Sequence, residues 1–356
     1  MKVLFVTRYG RLGASSRMRS LQYLPWFERM GINCSVAPLF DDNQLAKRYR
    51  ANGYGFANLA RSYGRRLLHL LQRHRYDVLW IEKEALPWLP ASLERWLLRD
   101  VPYVLDYDDA IFHNYDLHSS PLVRCFLGRR IDQLMAGATL VIAGNAYLAQ
   151  RAIDAGASCV EIVPTVVDLD RYSAKQDFAG RQEALRIVWI GSPSTTRYLK
   201  LLGEPLAELS RRFNIKLRVI GGGALSMPGV DIEAVRWSEE SEAASLRECD
   251  VGVMPLLDSP WERGKCGYKL VQYMACGLPV VASPVGVNNE IVSVGDNGFL
   301  ADNDQGWVNA VGELLSDAML RQKMGAAGRR RVEKEYCIQH AAPRLAALLR
   351  TAVEGR

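Results

Sequence analysis

KCGYKLVQYMACGLPVVASPVG, residues Lys265–Gly286, is the stretch that decides the fold. Leu270, Val271, Met274 and Ala275 recur at helical spacing, so a helix runs from about Tyr268 to Cys276 with those residues inward. Gly277 caps it, and the apolar PVVAS (279–283) that follows at once reads as a strand buried on both faces. A helix turned back onto a parallel strand is half of a βαβ unit. Gly267, wedged between Lys265 and Lys269, opens the helix. Free backbone N–H groups, the helix dipole and two ammonium groups there suit a phosphate; an ordinary amphipathic helix with solvated lysines is the plainer reading.

The same alternation runs outward in both directions. VLFV (3–6), CSVAPL (34–39), DVLWI (77–81), YVLDY (103–107), TLVIAG (139–144) and VEIVP (160–164) form one series of short apolar runs. RIVWIG (186–191), IKLRVIG (215–221), VDIEAV (230–235), VGVMPL (251–256), PVVAS and GFLA (298–301) form a second. Helical patterns lie between them, among them MRSLQYLPWFERMG and RCFLGRRIDQLMAGA. The expectation is an α/β protein with two doubly wound parallel sheets. Its domains are 1–167 and 186–339, joined by a polar linker at 168–185. In open sheets of this kind ligands sit outside the carboxyl ends of the strands.

Bulk properties narrow the function. The chain has 356 residues, enough for two domains, with an ordinary apolar share of 49% and charged share of 24%. No apolar run approaches the ~20 residues that span a bilayer, and MKVLFVTRYG reads as a first strand rather than a signal peptide. The seven cysteines show no CxxC spacing, which argues for reduced thiols, a cytoplasmic location and no metal site. A net charge of +6 permits an anionic partner without naming one, and nothing points to nucleic acid. Between Asn43 and Tyr76 there are eight Lys or Arg and no Asp or Glu. There RSYGRRLLHLLQRHR predicts a helix with Leu67, Leu68 and Leu71 on one face and Arg61, Arg65, Arg66 and Arg73 around the rest. Such a helix either packs its leucines inward or lies on an anionic membrane surface as a peripheral contact.

Several strand ends carry chemistry. After the first strand come Gly10 and Gly13, then Ser15 or Ser16 as N-cap, then Arg17 and Arg19 in a first helical turn, where the dipole disfavours cations unless they hold an anion. The spacing is not a dinucleotide fingerprint. Asp106, Asp108 and Asp109 end the strand YVLDY; three acids in four residues imply a cation, sugar hydroxyls, proton transfer or an N-cap. Glu82 and Glu84 end another strand, as a salt-bridged loop or as part of the same site. Gly191, Ser192 and Arg197 follow the first strand of the second series and suit phosphate or sugar. No histidine spacing marks a metal site, and no GxSxG elbow is present.

With IVWIG, ECDVGVMPL, GYKLVQYMACGLPVVASPVGVNNEIV and NGFLA in view, the chain resembles the retaining GT-B glycosyltransferases of glycosyltransferase family four. The likeness is strongest over 186–336 and weaker at the glycine loop 10–13 and in IVPTVVD (162–168). It implies two Rossmann-like domains facing a cleft, the final segment 340–356 returning to the N-terminal domain, a nucleotide diphosphate sugar on the C-terminal domain and an acceptor on the N-terminal one. The diphosphate turn falls on Cys266, Gly267 and Tyr268. The second of the family's paired glutamates falls on Gln272. The first falls on Gly264, with Glu262 two residues away as substitute. Phosphate charge would come from Arg197, Lys265 or Lys269, and base contacts from near Arg236 and Trp237. The family's active-site histidine falls on Asp108. SRMR, DYDDAIF and KCGYKLVQYMA look like bacterial members of surface-polysaccharide clusters, whose acceptors are saccharides, often lipid-linked. The expected catalytic residues are therefore Asp108, Asp109, Lys265 and Lys269. Gly13 and the C-terminal residues named above hold the donor, and Arg17, Arg19, Glu82 and Glu84 the acceptor, without a metal cofactor. An epimerase of the same fold and a non-catalytic nucleotide-sugar-binding subunit stay open as alternatives.

Overall fold

The computed structural model describes residues 1–51, 53–178 and 184–355. They form two compact units. The first holds residues 1–165, the short segment Gly264–Cys266 and the chain from His340 on; the second holds Val166–Arg263 and Gly267–Gln339.

The first unit is built on strands β1 (Lys2–Tyr9), β2 (Asn33–Phe40), β3 (Val78–Glu82), β4 (Tyr103–Tyr107), β5 (Leu140–Ala143) and β6 (Val160–Ile162). All pair in parallel, in the order β2-β1-β3-β4-β5-β6. The strands are near-continuous apolar runs because helices cover both faces. Phe5 packs between Phe27 and Trp80, ring centroids 6.0 and 5.5 Å apart, at the centre of the core. The order reverses between β1 and β3, which marks that carboxyl edge as the topological switch point.

The second unit repeats the plan with β7 (Leu185–Ile190), β8 (Ile215–Ile220), β9 (Ile232–Val235), β10 (Val251–Met254), β11 (Val280–Ala282) and β12 (Gly298–Leu300), in the order β12-β11-β10-β7-β8-β9. Strand alternation splits its core in two. Ile187, Trp189, Val251 and Val253 face one layer, while Val188, Ile190, Met254 and Val280 face the other. The switch point lies between β7 and β10.

Five helices matter below: α1 (Ala14–Arg19), α2 (Asp42–Ala51), α3 (Phe56–Leu71), α4 (Tyr268–Ala275) and α5 (Ile338–Glu354). The two longer helical patterns expected near the N-terminus are interrupted. MRSLQYLPWFERMG becomes α1, a short 3-10 turn and Leu24–Arg29; RCFLGRRIDQLMAGA breaks at Gly128 into Pro121–Leu127 and Arg130–Ala136. From His340 on, α5 belongs to the first unit, where Leu345, Ala346 and Leu349 are buried and Arg344 bonds Ile162 O and Glu161. Of the expected linker, 179–183 lie outside the described residues. The part before them is packed rather than loose: Tyr172 and Phe178 are buried in the core of the second unit.

Of the two facings open to the basic helix, the structure does not take the one that packs Leu68 and Leu71 inward. Leu68 and Leu71 of α3 are exposed, and the inward row is Ser62, Arg66 and Leu70. Arg66 is 1% exposed because its guanidinium has buried carbonyls to serve: Thr7 O at 2.5 Å, Ala37 O at 3.1 Å and Ala85 O at 3.1 Å. One planar fork thereby ties β1, β2 and the loop after β3. Arg73 is buried in the same way, bonded to Arg99 O at 2.9 Å.

Candidate active site

At the carboxyl edge of the first sheet, β1, β3 and β4 deliver a dense set of charges. Sequence assigned Arg19 to a ligand, but the structure gives it to the protein. Arg19 is 2% exposed and forks onto Asp106, with Nε 3.0 Å from Oδ2 and Nη2 2.5 Å from Oδ1. Its Nη1 donates to Val163 O at 2.9 Å and to Thr165 Oγ1 at 3.3 Å. Burial pushes the Asp106 carboxyl up to about 6 against the pull of Arg19. Arg17 is likewise buried, its Nη1 donating to Arg11 O at 2.9 Å. Both arginines thus have internal acceptors for part of their charge.

Glu84 is also consumed internally. It accepts from Tyr115 Oη at 2.8 Å, Arg8 at 3.1 Å and Arg130 at 3.1 Å. Glu82 is different. One oxygen accepts from Arg8 N at 2.9 Å and Ser16 Oγ at 2.5 Å, while Oε1, though buried, has no hydrogen-bond partner among the described residues. A bare buried carboxylate oxygen at a switch point is a place for a donor from a ligand. Ser15 and Ser16 thus serve acids rather than cap a helix; Gly13 is the N-cap of α1.

Asp108 and Asp109 are brought together around a residue the sequence reading missed. Lys83 Nζ lies 2.8 Å from Asp108 Oδ1 and 3.4 Å from Asp109 Oδ2. Ser15 Oγ donates to the other Asp108 oxygen at 2.7 Å. Burial raises the Asp108 carboxyl, but Lys83, Ser15 and Arg19 together pull it lower still, and it ends below the ordinary carboxylate range. Lys83 holds φ at +66°. That is an uncommon conformation for a side chain of its size, of the sort that persists where surrounding contacts impose it. In sequence it was one more lysine between two glutamates. Lys265, in the segment counted with this unit, has Nζ 3.7 Å from Asp109, and Cys266 Sγ lies 3.2 Å from Asp108 O. Among the described residues no group of three or more His, Cys, Asp or Glu is placed to hold a metal ion.

The glycine loop is occupied by the protein itself. Asp42 Oδ1 accepts from Leu12 N at 2.8 Å, and a Cβ on Gly10 would stand 2.5 Å from that oxygen. Gly13 is small because Tyr9 packs on it, a Cβ falling 2.4 Å from the Tyr9 Cβ.

In the second unit, Gly267 has φ +62° and caps α4. A Cβ there would lie 2.3 Å from Ile291 Cδ1, so packing against the unit's own core already demands glycine here. Gly277 closes α4 with φ +71°, as the sequence implied. Lys269 Nζ stands over the Trp189 ring, 5.4 Å from its centroid. Tyr268 begins the helix, half-buried. Gln272 is buried and its Nε2 donates to Tyr172 Oη at 3.1 Å; Tyr172 in turn donates to Glu242, which also accepts from Trp237 Nε1 at 2.5 Å. Glu242 and Tyr172, unremarkable in sequence, thus organise the polar end of Gln272. Arg236 is exposed beside this network.

At the β7–β10 switch point, Gly191 is held between its neighbours. A Cβ on it would meet Trp189 at 2.5 Å, and one on Gly221 would meet Gly191 O at 2.7 Å. Ser192 Oγ lies 2.9 Å from Ser194 Oγ. Buried Glu262 accepts from Tyr198 Oη and Ser259 Oγ, with the largely exposed Arg197 3.6 Å away. An acid, two hydroxyls and an arginine at that edge can meet sugar hydroxyls and phosphate oxygens.

Residues 184–317 match the family described as Glycosyl transferases group 1. A D-inositol 3-phosphate glycosyltransferase of Corynebacterium jeikeium is 27% identical over 72% of this chain and 66% of its own length. A phosphatidyl-myo-inositol mannosyltransferase of Mycobacterium leprae is 27% identical over 50% of each. The chain therefore spans about two thirds or less of these curated relatives. HepE of Anabaena, solved in complex with UDP-glucose, superposes with TM-score 0.72 at 16% identity over 99% of this chain and 100% of its own. Sucrose-phosphate synthase of Thermosynechococcus elongatus gives 0.71 at 14% over 100% and 99%. These likenesses establish the fold: the chain is a two-domain α/β protein of GT-B type.

Proposed function

We propose that this chain is a retaining glycosyltransferase that moves a hexosyl group from a nucleotide diphosphate sugar to a saccharide acceptor, lipid-linked, in bacterial surface-polysaccharide or cell-envelope glycan synthesis. The observation that carries this reading is the match of 184–317 to the group 1 glycosyl transferases on a chain whose whole length has the GT-B fold. The inositol-directed relatives and the UDP-glucose complex of HepE favour a sugar nucleotide and a polyol or saccharide acceptor.

In the chemistry proposed, the bond from the anomeric carbon to the leaving phosphate breaks as the bond to the acceptor oxygen forms on the same face. The acceptor proton passes to a phosphate oxygen. The protein has then to stabilise charge growing on the diphosphate. On the second unit Lys269, the amides opening α4 and Arg197 would do that work, each donor worth roughly 2.7–4 kcal/mol. Asp108, kept ionised by Lys83 and Ser15, orients a hydroxyl of the acceptor or donor hexose. Glu82 Oε1 accepts from an acceptor hydroxyl.

The test is nucleotide release from UDP-, GDP-, ADP- and dTDP-sugars with a panel of saccharide and lipid-linked acceptors, with the product's anomeric configuration read by NMR. Acceptor-dependent release with retained configuration is expected, and Lys269→Ala lowers turnover at least roughly tenfold. Inverted product removes the retaining mechanism. Thermal stabilisation by a sugar nucleotide without consumption across the panel makes the chain a binding subunit instead.

A further inference from the structure

Among the described residues 18 large apolar side chains are markedly exposed, 14 in the first unit and four in the second. Four of the 14, Phe56, Leu59, Leu68 and Leu71, lie on the single helix α3. Phe56 is 87% exposed, Leu68 61% and Leu71 52%, on a helix whose inward row is already filled by Ser62, Arg66 and Leu70.

The cationic side of α3 adjoins this apolar row. Arg61 and Leu68 are seven residues, two helical turns, apart and so share a stripe. Next to them α2 and α3 enclose an open cavity of about 180 Å³, lined by Lys47, Arg61 and Arg65, by the amides of Asn43 and Asn58, and by one acid, Asp41. Arg65 is partly engaged, 4.0 Å from Asp41 and 3.4 Å from Leu39 O. Among the described residues neither Lys47 nor Arg61 has an ion pair. Three cations against one carboxylate leave the cavity with a net positive charge, and the amides add neutral donors.

We infer that this cavity is a binding site for the phosphate of an anionic lipid, with Phe56, Leu68 and Leu71 entering the interfacial layer beside it. An apolar row bordered by arginines suits a membrane surface; a soluble phosphate would leave the apolar row unexplained. The site uses none of the residues assigned to transfer, and the inference stands whether or not the chain is a transferase.

Cosedimentation of the full chain with phosphatidylcholine vesicles, with and without 30 mol% phosphatidylglycerol, tests it in the absence of any sugar nucleotide. Binding only to the anionic vesicles is expected, weakened by added salt. Arg61→Gln with Lys47→Gln lowers affinity roughly 5-fold per charge, roughly 25-fold together. Phe56→Ser with Leu68→Ser also weakens it, while melting temperature is unchanged because all four side chains are exposed. A third arm adds glycerol 3-phosphate alone and reads thermal shift. Absence of binding to anionic vesicles, or binding indifferent to both variant pairs, overturns the site. An Arg61-dependent shift with glycerol 3-phosphate and no vesicle binding overturns the lipid source in favour of a soluble phosphate.

Discussion

Arg19→Met separates a structural arginine from a substrate-binding one. The substitution removes the fork on Asp106 and the bond to Val163 O while keeping most of the side-chain volume. Breaking one partner of a buried ion pair costs about 3–5 kcal/mol, because the surviving charge stays buried and unpaired. For a domain of this size each kcal/mol moves the midpoint by about 2–4 °C, so melting falls by about 6–20 °C. The loss depends on pH. Asp106 already sits high, at about 6, because of burial, and without Arg19 it rises further. The folded variant then keeps a proton that the unfolded chain loses near pH 4. Its stability is therefore greatest below that pH and falls as pH rises through the folded value. The deficit against wild type is larger at pH 8 than at pH 5. Adding Asp106→Leu removes the stranded charge and recovers the larger part, leaving about 1–3 kcal/mol for the unmet Val163 carbonyl. Calorimetry of the three proteins at both pH values is the assay. A melting temperature within two degrees of wild type, with acceptor KM raised instead, would refute the clamp and return Arg19 to the acceptor.

Lys83→Met removes the main charge holding Asp108 low, so the acid limb of the activity profile moves to higher pH; an unmoved limb means that Asp108 does not act as a carboxylate. Gly267→Ala meets both a positive φ and Ile291 Cδ1, costing roughly 1–3 kcal/mol by chemical denaturation, and Ile291→Ala relieves only the steric part. Gln272→Glu puts a second carboxyl into the buried Tyr172–Glu242 network. It lowers melting by several degrees, more at pH 8 than at pH 5, because the buried group keeps a proton that the unfolded chain loses; equal losses at both pH values would show that the new group ionises in the fold as readily as in the unfolded chain.

All twelve strands were legible because a strand covered on both faces must be an unbroken apolar run bounded by turn residues, and VLFV and RIVWIG say so locally. The breaks at Leu21–Tyr23 and Gly128 were not, since helical spacing continues across them. The site was legible at its edges: Asp108, Glu82, Gly191 and Glu262 stand at strand ends or beside a switch point. What stayed hidden was which charges the protein keeps for itself. Arg19, Arg66 and Arg73 look like surface residues on any helical wheel, and only acceptors supplied from segments distant in sequence turn them inward. The glycine between the two lysines was half legible for a related reason. Its positive φ was inferable, but the Ile291 methyl against it comes from another helix. Lys83 is the opposite case, a backbone conformation that no pattern of residue types announces.

The return of α5 to the first unit bears on how the chain is made. A ribosome would release Val166–Gln339 with everything the second unit needs, while β1 to β6 still waited for the layer that carries Leu345 and Leu349. The N-terminal half would thus be the last to close, and during synthesis its uncovered apolar face would be the part in need of a chaperone.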